Sequence, residues 1–350
     1  MKALNKQTRL WALGVILWGV WQTPGWAQDV LVLPVFGSQP ETGLQFGAAG
    51  LWESSDAVDA VAVNLFAQGT EQQQYRATLG LQTPGWLTQR PDRLEFELLL
   101  RDFPDQFFGY QANFSSTGLS YTEQTWGLSA RWWVPRDSTW EVGVGLRYLE
   151  SSVRFVEPNN ALLTDVAWRS GGSLWGVTAA VQRDTRDQPD WPRQGHRVLL
   201  EWSALNTDQQ WPLIAAAEAT GYQALNPGLI LAGGLQVQAA SASTPFLLMP
   251  ELSGSQWLRG LRGGQYRHQS TVAGQTELRA ELSPRWAAVG FTHLGQVGPN
   301  PASWFDNAWK VGYGGGLRFA VSSDRRLNLR LDYGVVDGRE GIIFSFREAF

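Results

Sequence analysis

The chain has 350 residues, with 28 Lys plus Arg against 32 Asp plus Glu, 19 Trp and no Cys. Without Cys there are no disulfides, no thiolate metal sites and no N-terminal lipidated Cys. The balance is mildly acidic, with a net charge of −4 and no basic stretch, so no nucleic-acid partner is expected.

At the N-terminus, Lys2, Lys6 and Arg9 precede an apolar run from Leu10 to Trp21, and Gly25-Trp26-Ala27 supplies small residues where a signal peptidase reads. Such a run is too short to span a bilayer as a helix, so residues 1–27 are predicted to be a cleaved secretory signal rather than an anchor. Cleavage would remove three positive charges and leave 25 against 32, a net of −7. Lys310 is then the single lysine, and basic work falls to Arg, whose planar fork suits pairing with carboxylates. No Pro/Ser-rich linker or composition shift divides residues 28–350, which read as one domain.

Beyond residue 27 no apolar run approaches the roughly 18 residues of a spanning helix. What recurs is alternation. Strands are predicted near 29–36, 43–53, 58–68, 72–82, 92–103, 119–134, 139–153, 172–184, 195–206, 211–224, 228–241, 272–283, 286–297, 309–321, 325–336 and 340–350. Leu94, Phe96, Leu98 and Leu100 alternate with Glu95, Glu97, Leu99 and Arg101; Trp140 to Tyr148 and Leu327 to Val335 behave alike. A soluble sandwich would turn the apolar face inward and a membrane barrel would turn it to lipid, and alternation alone fits both. The signal segment, the many Trp near predicted strand ends among the 19 and the closing run Ile342, Phe344, Phe346 and Phe350 favour the barrel. The expected fold is therefore all-β, a transmembrane antiparallel β-barrel of sixteen strands closed between its first and last. Short connections at Pro135-Arg136-Asp137, Asn226-Pro227-Gly228, Ser283-Pro284 and Ser322-Ser323-Asp324 all follow even-numbered strands. The longer ones near 104–118, 154–171, 242–271 and 298–308 belong to the opposite, extracellular end, leaving both termini periplasmic.

Five stretches carry a family resemblance. They are Pro40-Glu41-Thr42-Gly43; Phe103-Pro104-Asp105 with Phe108-Gly109; Asp184-Thr185-Arg186-Asp187 with Pro192 and Gly195; Trp257-Leu258-Arg259-Gly260-Leu261 with Glu277-Leu278-Arg279; and Arg330-Leu331-Asp332-Tyr333-Gly334. In this order they resemble the outer-membrane barrel-assembly superfamily (BamA/TamA-like, bacterial surface antigen family), over essentially the whole chain after residue 27. The resemblance implies that the Arg259-Gly260 loop folds into the lumen and that Arg259 pairs with acidic residues of the following strands. Glu277 leads, because Glu277, Arg279 and Glu281 alternate with Leu278, Ala280 and Leu282 and so face inward. The other reading of Arg259 is a solvated loop residue. The 184–195 stretch resembles a mid-barrel turn, and Phe344, Phe346 and Phe350 resemble a C-terminal assembly signal, although Glu348 stands where an aromatic is more usual.

Two departures bear on function. His293, in Phe291-Thr292-His293-Leu294-Gly295, stands where the family motif has an Asp, and Leu261 replaces an aromatic. Relatives also carry periplasmic POTRA domains, which receive clients; here the first strand begins soon after the predicted cleavage site, and none is expected. The resemblance implies a role in outer-membrane biogenesis or in transport of polypeptide or lipid, with outer-membrane lipids and the barrel-assembly machinery as partners. Client and oligomeric state are open.

A passive diffusion channel also fits, because lumen-facing Glu95, Glu97, Arg101, Arg131, Arg147, Glu201, Glu277, Arg318 and Asp332 mix signs. An outer-membrane lipid-modifying enzyme fits less well: His196, His268 and His293 are scattered and adjoin no nucleophile motif, so no catalytic residue, metal or cofactor is expected.

Overall fold

The computed structural model describes residues 29–39, 43–54, 61–84, 92–110, 117–207, 210–252, 256–322 and 326–350. The predicted signal, residues 40–42 of the first matching stretch, and Ser323 and Asp324 of the turn after Ser322 lie outside them, as does the Phe346 side chain.

Sixteen strands follow in chain order: β1 (Asp29–Gln39), β2 (Gly43–Glu53), β3 (Ala62–Thr70), β4 (Tyr75–Pro84), β5 (Arg93–Phe107), β6 (Leu119–Pro135), β7 (Trp140–Phe155) and β8 (Gly171–Asp184). They continue as β9 (Gln194–Asn206), β10 (Leu213–Asn226), β11 (Leu229–Ala240), β12 (Ser270–Glu281), β13 (Trp286–Gly298), β14 (Lys310–Ser322), β15 (Leu327–Val336) and β16 (Arg339–Phe346). Each pairs antiparallel with its neighbours in sequence, with no crossover. Every predicted strand is present, with ends displaced by a few residues.

The register assigns the faces. Val30, Val32, Leu44, Phe46, Leu65, Leu79, Leu146, Val177, Leu235, Tyr313 and Ile342 point outward and are exposed. Gln45, Gln68, Glu123, Glu277, Arg318 and Asp332 point inward and are buried. Apolar outside and polar inside is the pattern of a sheet solvated by hydrocarbon, and it rules out the sandwich. The chain is an outer-membrane-type antiparallel β-barrel.

Three expectations are corrected. First, Phe103-Pro104-Asp105 belongs to β5 rather than to a loop, with Pro104 opposite Thr122. The ladder with β4 stops at Asp102, so from there β5 has one neighbour only, and a local edge tolerates proline. The prolonged β5–β7 wall overhangs the lumen and encloses Phe107, Leu119, Tyr121, Val153 and Phe155 around Phe246. Second, the last strand stops at Phe346, and Arg347 turns the chain through a left-handed conformation (φ 58°), so Phe350 is not on the strand. Third, no ladder joins β1 to β16. The two edges border one cavity of about 300 Å³ lined by Pro34, Val35, Leu51, Phe66, Leu327 and Phe344. Pro34 lies on this edge strand and offers no N–H to it.

Candidate functional site

The connection from β11 to β12, residues 241–269, descends into the lumen in two places. Phe246, opening the short helical turn Phe246–Leu248, fills the aromatic chamber of the β5–β7 overhang. Deeper, Trp257 and Leu258 pack on Leu252, Ala273, Val297 and Val336. This packing holds Arg259 between β12, β13 and β15.

Arg259 is fully buried. Its Nη2 lies 2.8 Å from Glu277 Oε2 and donates to Gln275 Oε1 at 3.0 Å; Nη1 donates to Asp332 Oδ2 at 2.9 Å. The guanidinium plane sits 3.5 Å from the centroid of the Phe291 ring, a cation–π contact sealed from water. Gly260, at φ 117°, brings the loop backbone onto the wall: a Cβ there would stand 2.7 Å from the Gly334 carbonyl oxygen, and one on Gly334 would stand 2.1 Å from that of Arg259. Gly341, opposite Gly334 across the β15–β16 ladder, has the Gly260 Cα 3.0 Å from where its own Cβ would be. Three glycines thus let main chain touch main chain.

The structure therefore brings together Arg259, Gly260 and Glu277, and adds partners the sequence reading left unassigned. Arg279 Nε donates to Glu277 Oε1 at 2.6 Å. Arg318 donates to Asp332 Oδ1 at 2.6 Å and to Glu348 Oε2 at 2.7 Å, and lies 3.8 Å from Glu277. Arg330 is 3.6 Å from Asp332. Four guanidiniums interleave with three carboxylates. Each buried ion carries a desolvation penalty of several kcal/mol, which only such close reciprocal pairing offsets. Asp332 and Arg330 were visible as inward positions of β15, but the fact that one loop Arg would share two carboxylates depends on strand register.

His293 behaves otherwise. It is buried on the lumen face, stacked on Phe291 at 5.6 Å, and neither ring nitrogen has a hydrogen-bond partner among the described residues. It does not complete the site; Asp332 on β15 supplies the second carboxylate.

The other end of the lumen is filled by the connection between β8 and β9, where the predicted mid-barrel turn lies. Asp184 takes a bidentate grip on Arg186, closest at 2.6 Å, and Asp187 accepts the backbone N–H groups of Gln188 and Arg193 at 3.1 and 3.0 Å. Gly195, at φ 96°, passes so near Thr185 that a Cβ would stand 2.2 Å from its carbonyl oxygen. The turn folds inward, burying Pro192 and burying Trp191 completely beside Ile230 and Ala287; Trp191 donates to Glu281 at 2.8 Å. Arg193, at 2.9 Å, and Arg326 pair with the same carboxylate.

The residues after β16 enter between these plugs. Glu348 accepts from Asn328 Nδ2 at 2.9 Å as well as from Arg318. The Phe350 ring stacks at 6.2 Å on Tyr222 and 6.3 Å on Trp257, and the Arg279 guanidinium lies 5.5 Å from its centroid. Phe344 stays on the outer side, beside the seam.

This is a wall of sixteen antiparallel strands with an Arg-Gly loop locked into it. The model of the Omp85 superfamily domain matches residues 60–347. The chain belongs to the Omp85 superfamily. Among solved structures it is similar to BamA from Haemophilus ducreyi lacking POTRA domains 1–3 (14% identity, TM-score 0.60), covering 91% of this chain and 69% of that one. It is similar also to CdiB from Acinetobacter baumannii (13% identity, TM-score 0.56), covering 91% of this chain and 59% of that one. CdiB from Escherichia coli gives 10% identity and a TM-score of 0.60, with 93% and 60% covered. At these identities the likeness is one of fold. The chain spans about six to seven tenths of these structures. No curated protein sequence matches it.

Proposed function

We propose that this Omp85 barrel serves outer-membrane biogenesis or the transport of polypeptide or lipid, as a gated barrel rather than an open pore. The observation that carries this reading is Arg259: a fully buried loop cation held by Glu277 and Asp332 in a lumen filled from both ends, beside a seam with no ladder. A diffusion channel needs a continuous wet path. Here Phe246, Trp257 and Trp191 stand across it, and the chamber of about 490 Å³ under the loop is bounded by Arg76, Arg101, Asp105, Tyr121 and Arg267.

The enzyme reading has less support. His196 bonds to Arg183 and Thr185 at the short-turn rim, and His268 stands 5.5 Å from Tyr110, with burial pushing its pKa below the ordinary imidazole range. His293 stacks on Phe291, so each histidine has a separate place. The C-terminal residues act as an assembly signal before folding, when the segment is free to extend; once the barrel forms, Glu348 and Phe350 tuck inward while Phe344 stays on the outer side.

The test is planar-bilayer conductance of the refolded protein beside Arg259→Ala. The gated reading expects a nearly silent wild type and frequent openings in the variant. A steady ohmic conductance in both would move the protein to the diffusion channels.

A further inference from the structure

A basic group on the outer face lies at the short-turn end of the wall. Trp140, first residue of β7, pairs with Arg183 of β8, and His196 follows on β9. Lumen-facing Gln182 is hydrogen-bonded to Arg197, so their neighbours Arg183 and His196 project from the opposite, lipid side, as does Trp140. All three stand at the short-turn end, at the level where aromatic residues ring a membrane barrel. In this class of barrel that end faces the periplasm.

Hydrogen bonds order the group. Arg183 Nη1 lies 3.1 Å from His196 Nε2, and a guanidinium only donates, so Nε2 accepts. The ring proton then sits on Nδ1 and donates to Thr185 Oγ1 at 3.2 Å. That oxygen also accepts the His196 backbone N–H at 3.0 Å and donates to the His196 carbonyl at 3.0 Å. Arg183 carries the charge of the group, lying 5.8 Å from the Trp140 ring centroid.

Three lumen-facing arginines of the wall have carboxylates: Arg93 has Glu141, Arg131 has Glu201 and Arg197 has Glu218. Among the described residues no carboxylate is within ion-pair distance of Arg183. Asp137 is in the adjacent turn, but its Oδ1 is taken by the Thr139 N–H at 2.8 Å, the Trp140 N–H at 2.9 Å and the Thr139 hydroxyl at 3.0 Å. Those bonds, and to a lesser degree the Arg183 charge, hold its carboxyl below the usual range, but it lies beyond ion-pair distance of Arg183.

We propose that Arg183, framed by Trp140 and His196, binds the phosphodiester of a glycerophospholipid in the periplasmic leaflet. A guanidinium left without a carboxylate at headgroup level matches a phosphate in charge and in fork geometry, and the exposed indole offers the glycerol and first acyl carbons a flat apolar surface. His196 acts as a positioning residue, orienting the fork through Nε2.

The test uses the full refolded chain in a non-ionic detergent, titrated with dioctanoyl phosphatidylethanolamine and read by native mass spectrometry. Heat-modifiable gel mobility confirms that each variant is folded. Arg183→Gln should bind the first lipid about tenfold more weakly than wild type, with Trp140→Leu in between. Should Arg183→Gln fail to fold, Arg183→Lys keeps the charge without the fork, and weaker binding is expected of it too. Excess inorganic phosphate should leave the bound lipid in place. Equal lipid affinity in wild type and the Arg183 variant, or displacement of the lipid by phosphate alone, would overturn the proposal.

Discussion

Strands β12–β15 and strands β1–β4 obey the same alternation but hold their lumen faces differently. On β12–β15 the inward side chains are Gln275, Glu277, Arg279, Phe291, Arg318 and Asp332, buried and tied to a loop from above and a turn from below. On β1–β4 they include Gln45, Leu51, Asn64, Phe66, Gln68 and Thr78, joined by single bonds such as Gln68 to Gln45 at 2.8 Å, with a cavity at the unlaced edge. Both halves share the same ladder chemistry. The difference lies in what fills the lumen, and that filling stops short of the seam.

The comparison is most directly broken at Glu277. Glu277→Ala leaves Arg259, Arg279 and Arg318 short of a carboxylate in a dry site, and breaking a buried pair costs about 3 to 5 kcal/mol. Urea unfolding of the refolded barrel should show a larger loss than Arg259→Ala, and the double variant should fall short of the sum. Independent, equal losses would mean that the cluster is not a unit.

A smaller effect is expected from Gly334→Ala. The added methyl would overlap the Arg259 carbonyl oxygen, and forced overpacking costs about 1 to 3 kcal/mol. The loop should then become cleavable by external protease in intact cells. Gly290→Ala, with nothing within 4 Å of the new Cβ, is the matched control and should leave the loop protected.

On the seam side, Leu51→Ala truncates a half-buried side chain beside a cavity, and its cost should stay below the roughly 2 kcal/mol at which fully buried large-to-small changes begin. A penalty as large as that of Glu277→Ala would show the two halves to be equally firm. Smallest of all is His293→Phe. Both ring nitrogens lack partners, so an apolar ring of similar shape should leave the urea midpoint unchanged or slightly raised. A marked loss would reveal a partner for His293 in the membrane-bound protein.

Strand number and facing were legible because period two needs no knowledge of the third dimension, and alternation alone turned Glu277 inward; the folding-in of the Arg259 loop came from the family resemblance. Asp332 was legible as an inward residue but not as a second partner of Arg259, since that depends on how far β15 is staggered against β12. The fate of Phe350 was misread for a definable reason. Apolar alternation runs through Phe344 and Phe346 and resumes at Phe350, but Glu348 breaks it, and that carboxylate finds Arg318 by leaving the strand. A charged residue in an otherwise lipid-facing row was the visible sign. The inward fold of the 185–193 turn left no such sign, because Trp191 reads equally well as a girdle residue.

The contact of Gly260 with Gly334 and Gly341 has a mechanical consequence. Long side chains at a contact act as springs and can bend while their backbones part. Where one backbone rests directly on another there is no such slack, so the loop and the β15–β16 hairpin move as one piece. Swinging β16 away from the lumen by even a bond length would pull Gly341 off Gly260. Any widening of the seam is therefore geared to the seating of a loop at the far end of the barrel, and displacing that loop loosens the strand that borders the seam.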